Sequence, residues 1–281
     1  MTSKILNHVN CDKYAVIKGE VLSKQIYGGV GKRYSSDIDV LISRKSIDDF
    51  EQALNSLGFN NSSLSRNEKI TMLSSSHQIS PWTKVIPPWG IVVVDLNFDI
   101  FWGEYEGKRI DMENFLSDTI EMEIYGVRVN TLPPIKALIQ LILHHYKDMN
   151  SIFLLATRKS IKYDMFKDVY YLLKNNLDTI PLDKLYVISA EYEIVPYVFY
   201  VLYYTGQFFD DDVLKQYIET FRTPEGEALL NCYGLCSKER KEWKCDFKTR
   251  LEAENLYELI KNDLTEKDHE KIRFNTRIFG G

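Results

Sequence analysis

The sequence predicts an α+β protein, in which a mixed sheet with flanking helices is followed by a mostly α-helical part. In residues 1–130, short apolar runs with strand-like alternation are separated by glycine turns, as in many sheets. After Pro133 and Pro134, apolar residues recur at the spacing of about 3.6 residues that helices show. We therefore expect two domains, residues 1–130 and residues 131–281.

The first half alternates between strand and helix signals. A buried strand is predicted over residues 14–17 and a helix over residues 20–27, ended by the glycine-rich residues 28–31. Residues 37–43 alternate as a strand does. Ser46 has the character of an N-cap for a helix that runs to about residue 57.

Further strands are expected over residues 69–73 and 91–101, with a hairpin over residues 123–129. The intervening residues 74–90 are rich in Ser, Pro and Trp and are expected to form a long loop. In the second half, the pattern stays helical to about residue 221. The aromatic residues in 192–209 fit a helix core, and the polar tail from residue 265 is expected to be partly disordered.

Composition limits the classes of partner. The 281 residues are 44% hydrophobic, enough for a sizeable core, and the net charge is −5. Proteins that bind nucleic-acid backbones usually carry a basic surplus, so nucleic acid is the less favoured partner. The first residues lack the apolar core of a signal peptide, and there is no apolar run of about 18 residues. We expect a cytoplasmic protein without a membrane partner.

The cysteines are few, at positions 11, 232, 236 and 245. Their spacing does not match the usual ligand pairs of structural zinc sites. Small buried apolar side chains are the simpler interpretation.

Closely spaced carboxylates are the most informative feature. Asp37 and Asp39 lie two residues apart on a predicted strand, so both project from the same face. Like charges so close repel each other unless a cation lies between them, and Mg²⁺ takes carboxylate oxygens as ligands. Asp95 lies in a second strongly apolar strand, where an acid is costly unless it is paired or metal-bound. Asp99 lies on the same face of that strand and is the alternative third carboxylate.

The pattern resembles the nucleotidyltransferase superfamily of DNA polymerase β, and within it the bacterial family described as uncharacterised nucleotidyltransferase. The resemblance rests on Lys18-Gly19-Glu20, on Arg33, on Asp37-Ile38-Asp39, and on the acid-bearing strand over residues 91–102. It implies a polymerase-β-like catalytic domain followed by a helical domain. The superfamily usually has Gly-Ser or Gly-Gly at the strand end, where this chain has Gly19-Glu20.

The resemblance also implies a two-metal-ion mechanism. Asp37, Asp39 and Asp95 are implied to be catalytic and to hold Mg²⁺ or Mn²⁺, while a nucleoside monophosphate passes from an NTP to an acceptor and pyrophosphate leaves. The implied nucleotide-binding residues are Lys18, Gly19, Ser23, Arg33 and Ser36. For Ser23 and for the helical His144 and His145, a structural role is the simpler interpretation.

The leading hypothesis is therefore an NTP-dependent nucleotidyltransferase. ATP is the first expectation for the nucleotide, and a small molecule or a peptide or protein for the acceptor. A toxin-like enzyme that modifies tRNA is an alternative that the acidic charge disfavours. A non-catalytic nucleotide-binding module and a helical interaction protein on an α/β scaffold are alternatives from another class.

Overall fold

The computed structural model describes residues 13–62, 64–88, 90–102, 109–157 and 160–279. Backbone contacts divide the chain into two compact units, one up to Ala137 and one from Leu138. The division falls inside a helix that spans Pro134–Asn150. The expectation that residues 1–130 and residues 131–281 are two separate domains remains a prediction.

The predicted mixed sheet is present in the first unit, where it has seven strands. Its strand order is β3-β4-β5-β2-β1-β7-β6. The pairs β2–β5 and β1–β7 are parallel and the remaining pairs are antiparallel. The strands are β1 Tyr14–Ile17, β2 Asp37–Ile42, β3 Asn60–Asn61, β4 Trp82–Ile86, β5 Gly90–Asn97, β6 Ile120–Ile124 and β7 Val127–Thr131.

Strand β2 is the middle strand of the sheet, between β5 and β1, and its last four residues are covered on both faces. Asp39, Val40, Leu41 and Ile42 are all buried. A strand buried on both faces must satisfy any charge it carries from within the protein. The two aspartates of β2 are therefore held by a rigid, covered element.

Four helices accompany the sheet in the described part of the first unit. They are α1 Gly19–Tyr27, α2 Ile47–Ser56, α3 Arg66–Ser75 and α4 Met112–Phe115. Helix α1 ends at Tyr27 and is capped by Gly28, whose φ of 68° lies in the left-handed region that favours glycine. The glycine-rich segment thus ends α1, as the sequence indicated.

Two expectations for residues 69–90 are wrong. Residues 69–73 are helical and belong to α3, because Ser65 and Glu68 form a capping box that starts a helix there. The expected long loop contains β4, which pairs antiparallel with β5 along its whole length. The predicted strand over residues 91–101 ends earlier, at Asn97.

The second unit is mostly helical, as predicted. Its described elements are the rest of α5 Pro134–Asn150, then α6 Ile152–Thr157, α7 Tyr163–Lys174, α8 Leu182–Glu191, α9 Val195–Gly206, α10 Asp212–Phe221, α11 Pro224–Leu229, β8 Cys232–Tyr233, β9 Lys241–Glu242, α12 Phe247–Glu252, α13 Tyr257–Ile260 and α14 Glu266–Phe279. None of the described helices is long and apolar enough to cross a membrane.

Helix α9 carries much of the core of this unit. Tyr197, Phe199, Tyr200 and Tyr204 are buried, which agrees with a core role for the aromatic segment. The expectation of a partly disordered tail is wrong for residues 266–279, which form α14. Buried Ile278 anchors the end of that helix.

Candidate functional site

Strand register brings the acidic residues of β2 and β5 together. In this parallel pair Asp39 lies opposite Asp95, and Asp37 lies opposite Val93. Residues directly opposite each other project from the same face, as do residues two apart on one strand. Each of Asp37, Asp39 and Asp95 therefore offers an oxygen on one face, and these oxygens lie within 4.8 Å of one another.

The group has a covered base and a more open rim. Asp39 is only 3% exposed, whereas Asp37 and Asp95 are partly exposed. A buried carboxylate needs a cation or hydrogen-bond donors to offset the lost hydration. Asp39 is thus the most buried of the three carboxylates, and one carboxylate oxygen of Asp95, Oδ1, is buried as well.

Lys18 supplies a cation at the base. Its ammonium Nζ lies 2.8 Å from Oδ1 of Asp39. The pairing of β1 with β2 places Ile17 opposite Asp39, so the next residue along the chain, Lys18, reaches this carboxylate. The amide of Asn97 also donates to Oδ1 of Asp39, at 3.4 Å. Lys18 was predicted to bind the nucleotide, and in the structure it contacts a predicted metal ligand.

Gly19 and Ser35 shape the chain next to the carboxylates. Gly19 has a φ of 44°, and a Cβ at this position would lie 3.3 Å from Oγ of Ser35. The hydroxyl of Ser35 donates to the carbonyl oxygen of Asp37 at 3.1 Å and lies 3.5 Å from its Oδ1. Sequence reasoning missed Ser35 and selected Ser36, which is exposed. The neighbouring serines carry no local signal that distinguishes them.

Ser23 is fully buried and organises the loop after α1. Its hydroxyl donates to the carbonyl oxygen of Gly29 at 2.8 Å and accepts from the backbone N–H of Lys32 at 3.1 Å. These contacts support the structural interpretation of Ser23. Arg33 lies in the same loop and is partly exposed. Contacts of Ser23 and Arg33 with a nucleotide remain predictions.

Asp99 has a different environment from the three grouped carboxylates. It follows the end of β5, lies 3.3 Å from Nε of Arg109, and accepts from the backbone N–H of Phe101 at 2.9 Å. Burial raises the pKa of Asp99 to about 6, although that hydrogen bond and the positive charges of Arg109 and Arg44 oppose the rise. Within the described residues, the carboxylate group contains Asp95 and does not contain Asp99. The geometry favours Asp95 as the third carboxylate.

The grouped carboxylates fit a hard divalent cation. Two oxygens bound to one octahedral Mg²⁺ lie roughly 3–4 Å apart, and the oxygens of the three carboxylates lie within 4.8 Å of one another. Three carboxylates meet here, and among the described contacts the ammonium of Lys18 pairs with one of them, Asp39. The donor set and the charge both suit Mg²⁺ or Mn²⁺.

The remaining sequence candidates lie in the second unit. Among the described residues, Cys232, Cys236 and Cys245 are free thiols and do not belong to a group with metal-ligand geometry. Cys11 lies outside the described residues. His144 and His145 lie in α5, the first partly exposed and the second buried.

Comparisons with known proteins indicate the family to which the chain is related. The model of one family, described as uncharacterised nucleotidyltransferase, matches residues 12–210. Among solved structures, the chain is similar to an antigenic nucleotidyltransferase-like protein from Paracoccidioides brasiliensis, with 21% identity over 57% of this chain and 67% of that chain and a TM-score of 0.34. A structural similarity this low does not support a conclusion about function. None of the curated proteins matches the chain.

Proposed function

The chain belongs to the uncharacterised nucleotidyltransferase family, and we propose that it transfers a nucleoside monophosphate from an NTP to an acceptor with release of pyrophosphate. Nucleotidyl transfer is the general chemistry of the family. The metal dependence, the nucleotide and the acceptor are the specific parts of the proposal.

One observation supports the proposal most strongly. Asp39 and Asp95 are register partners on two adjacent parallel strands, and the carboxylate of Asp37 joins them within 4.8 Å. Carboxylates that lie this close repel one another, and burial deprives them of hydration. A divalent cation bound between them would offset both unfavourable effects. We assign Asp37, Asp39 and Asp95 as the residues that hold Mg²⁺ or Mn²⁺. When bound, such an ion would neutralise triphosphate charge and lower the pKa of an acceptor hydroxyl.

The other residues of the site are proposed to hold the carboxylate of Asp39 and the nucleotide in position. Lys18 fixes the carboxylate of Asp39 through its 2.8 Å contact. Gly19 is the first residue of α1, where backbone N–H groups without intrahelical partners favour an anion, and its φ of 44° lies in the region that favours glycine. Arg33 and Ser36, on the loop that leads into β2, are proposed to contact the nucleotide from the rim.

We propose ATP as the nucleotide and a small molecule, peptide or protein as the acceptor. The net charge of −5 provides no basic surplus for a nucleic-acid backbone. Transfer to tRNA would contradict this choice of acceptor while leaving the proposed reaction intact.

Labelling with each α-³²P-labelled NTP tests the reaction. The protein is incubated with a cell extract and either Mg²⁺, Mn²⁺ or a chelator, and label is then sought in protein, RNA and small molecules. We expect label that depends on the cation and is strongest with ATP. Calorimetry measures cation-dependent NTP binding separately, and a correctly folded protein that shows no such binding contradicts the proposal.

Single substitutions test the site. Asp37→Asn, Asp39→Asn and Asp95→Asn are each expected to reduce labelling by about 100-fold or more, because each removes a charged ligand of the cation. Asp99→Asn separates the two candidates for the third carboxylate and is expected to retain labelling. Asp48→Asn changes an exposed acid at the start of α2 and serves as the matched control. Undiminished labelling by the Asp39 variant means that the site is wrong.

A further inference from the structure

Two histidines and an aspartate come together on α5, in the second unit. His144 and Asp148 are separated by about one helical turn, so their side chains lie on the same side of the helix. Nε2 of His144 is 3.3 Å from Oδ2 of Asp148. The ring of His145 lies beside that of His144, with centroids 5.7 Å apart. Each of the three residues offers a ligand atom within 4.8 Å of the other two.

The donor atoms indicate the class of cation. Imidazole nitrogens together with one carboxylate suit zinc and similar transition ions, whereas ligand sets made of oxygen alone suit magnesium and manganese. Ligand atoms about 2.0–2.1 Å from a tetrahedral zinc ion lie roughly 3.3 Å from one another. The distance between His144 and Asp148 already has this value.

The surroundings favour tight binding. The side chain of Asp148 is 5% exposed and that of His144 is 19% exposed, while His145 is buried. Leu141 and Ile142, in the preceding turn of α5, are also buried. Low exposure strengthens a charge–charge interaction, and a regular helix holds its ligands without loop rearrangement.

We propose that His144, His145 and Asp148 bind one Zn²⁺ or a transition ion of similar preference. This site is chemically distinct from the carboxylate group of β2 and β5, which is proposed to bind Mg²⁺. Three protein ligands leave a fourth position of a tetrahedral ion open to water or to a small anionic ligand. The proposal does not depend on the function proposed above.

Zinc titration of the full-length, chelator-treated protein tests the site. Affinity is measured by competition with a chromophoric chelator, and bound metal is counted by elemental analysis after desalting. The wild-type protein is expected to bind about one equivalent of zinc, to keep it in excess Mg²⁺, and to unfold at a higher temperature when zinc is present. Wild-type protein without stoichiometric zinc overturns the proposal.

Two substitutions each remove one ligand of the proposed site. His144→Ala truncates the most exposed of the three side chains, and Asp148→Asn keeps the size of the buried one. Each is expected to weaken zinc binding by at least about 100-fold and to abolish the thermal shift. Circular dichroism and melting of the metal-free variants establish that they are folded.

Matched controls separate this site from the other possible ligands. His269→Ala removes a partly exposed helical histidine elsewhere in the same unit and is expected to bind zinc as the wild type does. A Cys232→Ala/Cys245→Ala double variant and Asp39→Asn are expected to retain binding. X-ray absorption is expected to show only nitrogen and oxygen ligands. Sulfur ligation, or equal affinity of His144→Ala and His269→Ala, overturns the assignment.

Discussion

Lys18 has an uncommon backbone conformation between β1 and α1. Its φ of 57° lies in the left-handed region, which costs free energy for a residue with a side chain. The conformation directs its ammonium to a carboxylate that is almost fully buried. Removal of one partner from a buried ion pair leaves the other charge without compensation. Loss of the Lys18 ammonium is therefore expected to destabilise the folded protein at Asp39.

Lys18→Met is expected to lower the free energy of unfolding by about 3 kcal/mol in the absence of divalent ions. Mg²⁺ is expected to stabilise this variant more than the wild type, because the cation replaces the missing ammonium beside Asp39. Urea denaturation with and without Mg²⁺ measures both effects.

Lys69→Met is the control for the lysine substitution, since Lys69 pairs with Glu51 at a partly exposed position. Its expected loss is below about 1 kcal/mol. Equal stability of the Lys18 and Lys69 variants would show that the pair with Asp39 is not important.

Asp99 gives the stability of the first unit a pH dependence. Its pKa rises from 3.8 to about 6 on folding, chiefly because it is buried. Between these two values the folded state binds more protons than the unfolded state. The free energy of unfolding therefore falls as pH increases from about 4 to about 6, and this contribution is constant at higher pH.

Asp99→Asn is expected to remove this dependence. Relative to the variant, the wild type should lose up to about 3 kcal/mol between pH 4 and pH 6, at about 1.4 kcal/mol for each pH unit. Urea denaturation at several pH values measures the difference. Asp48→Asn, an exposed substitution, should follow the wild type throughout. If the Asp99→Asn curve also runs parallel to that of the wild type, Asp99 titrates normally in the folded protein.

At the scale of elements, Asp211 joins two helices of the second unit. Its Oδ1 accepts from the backbone N–H of Leu214 at 3.0 Å and caps α10. Its Oδ2 accepts from Lys174 at 2.6 Å and from Tyr170 at 3.2 Å, both on α7. The hydrogen bond from Lys174 is the main reason that the pKa of Asp211 falls to about 2.

Asp211→Ala is expected to destabilise the second unit by about 1–2 kcal/mol at neutral pH, through loss of the cap and of these contacts. The folded pKa lies below the unfolded value of 3.8, so the stabilisation is present above about pH 4 and disappears as pH falls toward 2. Denaturation monitored by circular dichroism measures it. Asp212→Ala changes a 99% exposed neighbour in the same turn and should cost less than about 0.5 kcal/mol. Equal losses for the two variants would argue against the cap.

The elements that local pattern predicted are those with their own start and stop signals. Strand β2 alternates, and the β6–β7 hairpin turns at Tyr125 and Gly126, so both were predicted correctly. Strand β4 lies between prolines and is held by its pairing with β5, an interaction that no local pattern shows. Helix α3 did carry a local signal, the Ser65–Glu68 capping box, which the alternation of the next residues obscured.

The candidate site shows the same division between local and long-range information. Periodicity was enough to place Asp37 and Asp39 on one face and to put Asp95 in an apolar strand. It could not show that Lys18 would contact Asp39, because that contact depends on the antiparallel pairing of β1 with β2. The position of Ser35 depends on its approach to Gly19 in three dimensions.

At the scale of the whole molecule, the two units have different kinds of organisation. The first depends on pairing between strands that are distant in sequence, and the second on helices whose apolar spacing is visible locally. The overall class was therefore predictable from periodicity alone. The division between units was not predictable to the residue, because it falls inside α5, where the helical pattern is continuous.

The opposition of Asp39 and Asp95 also determines where the chain tolerates changes of length. Side chains alternate between the two faces of a strand, so deletion of one residue between Gly90 and Asp95 would shift the register by one. Asp95 and the apolar residues of β5 would then lie on the opposite faces of the sheet. An insertion in the loop over residues 28–36 leaves that pairing untouched. Natural or engineered variation in length is thus expected in the loops of the first unit and not within β5.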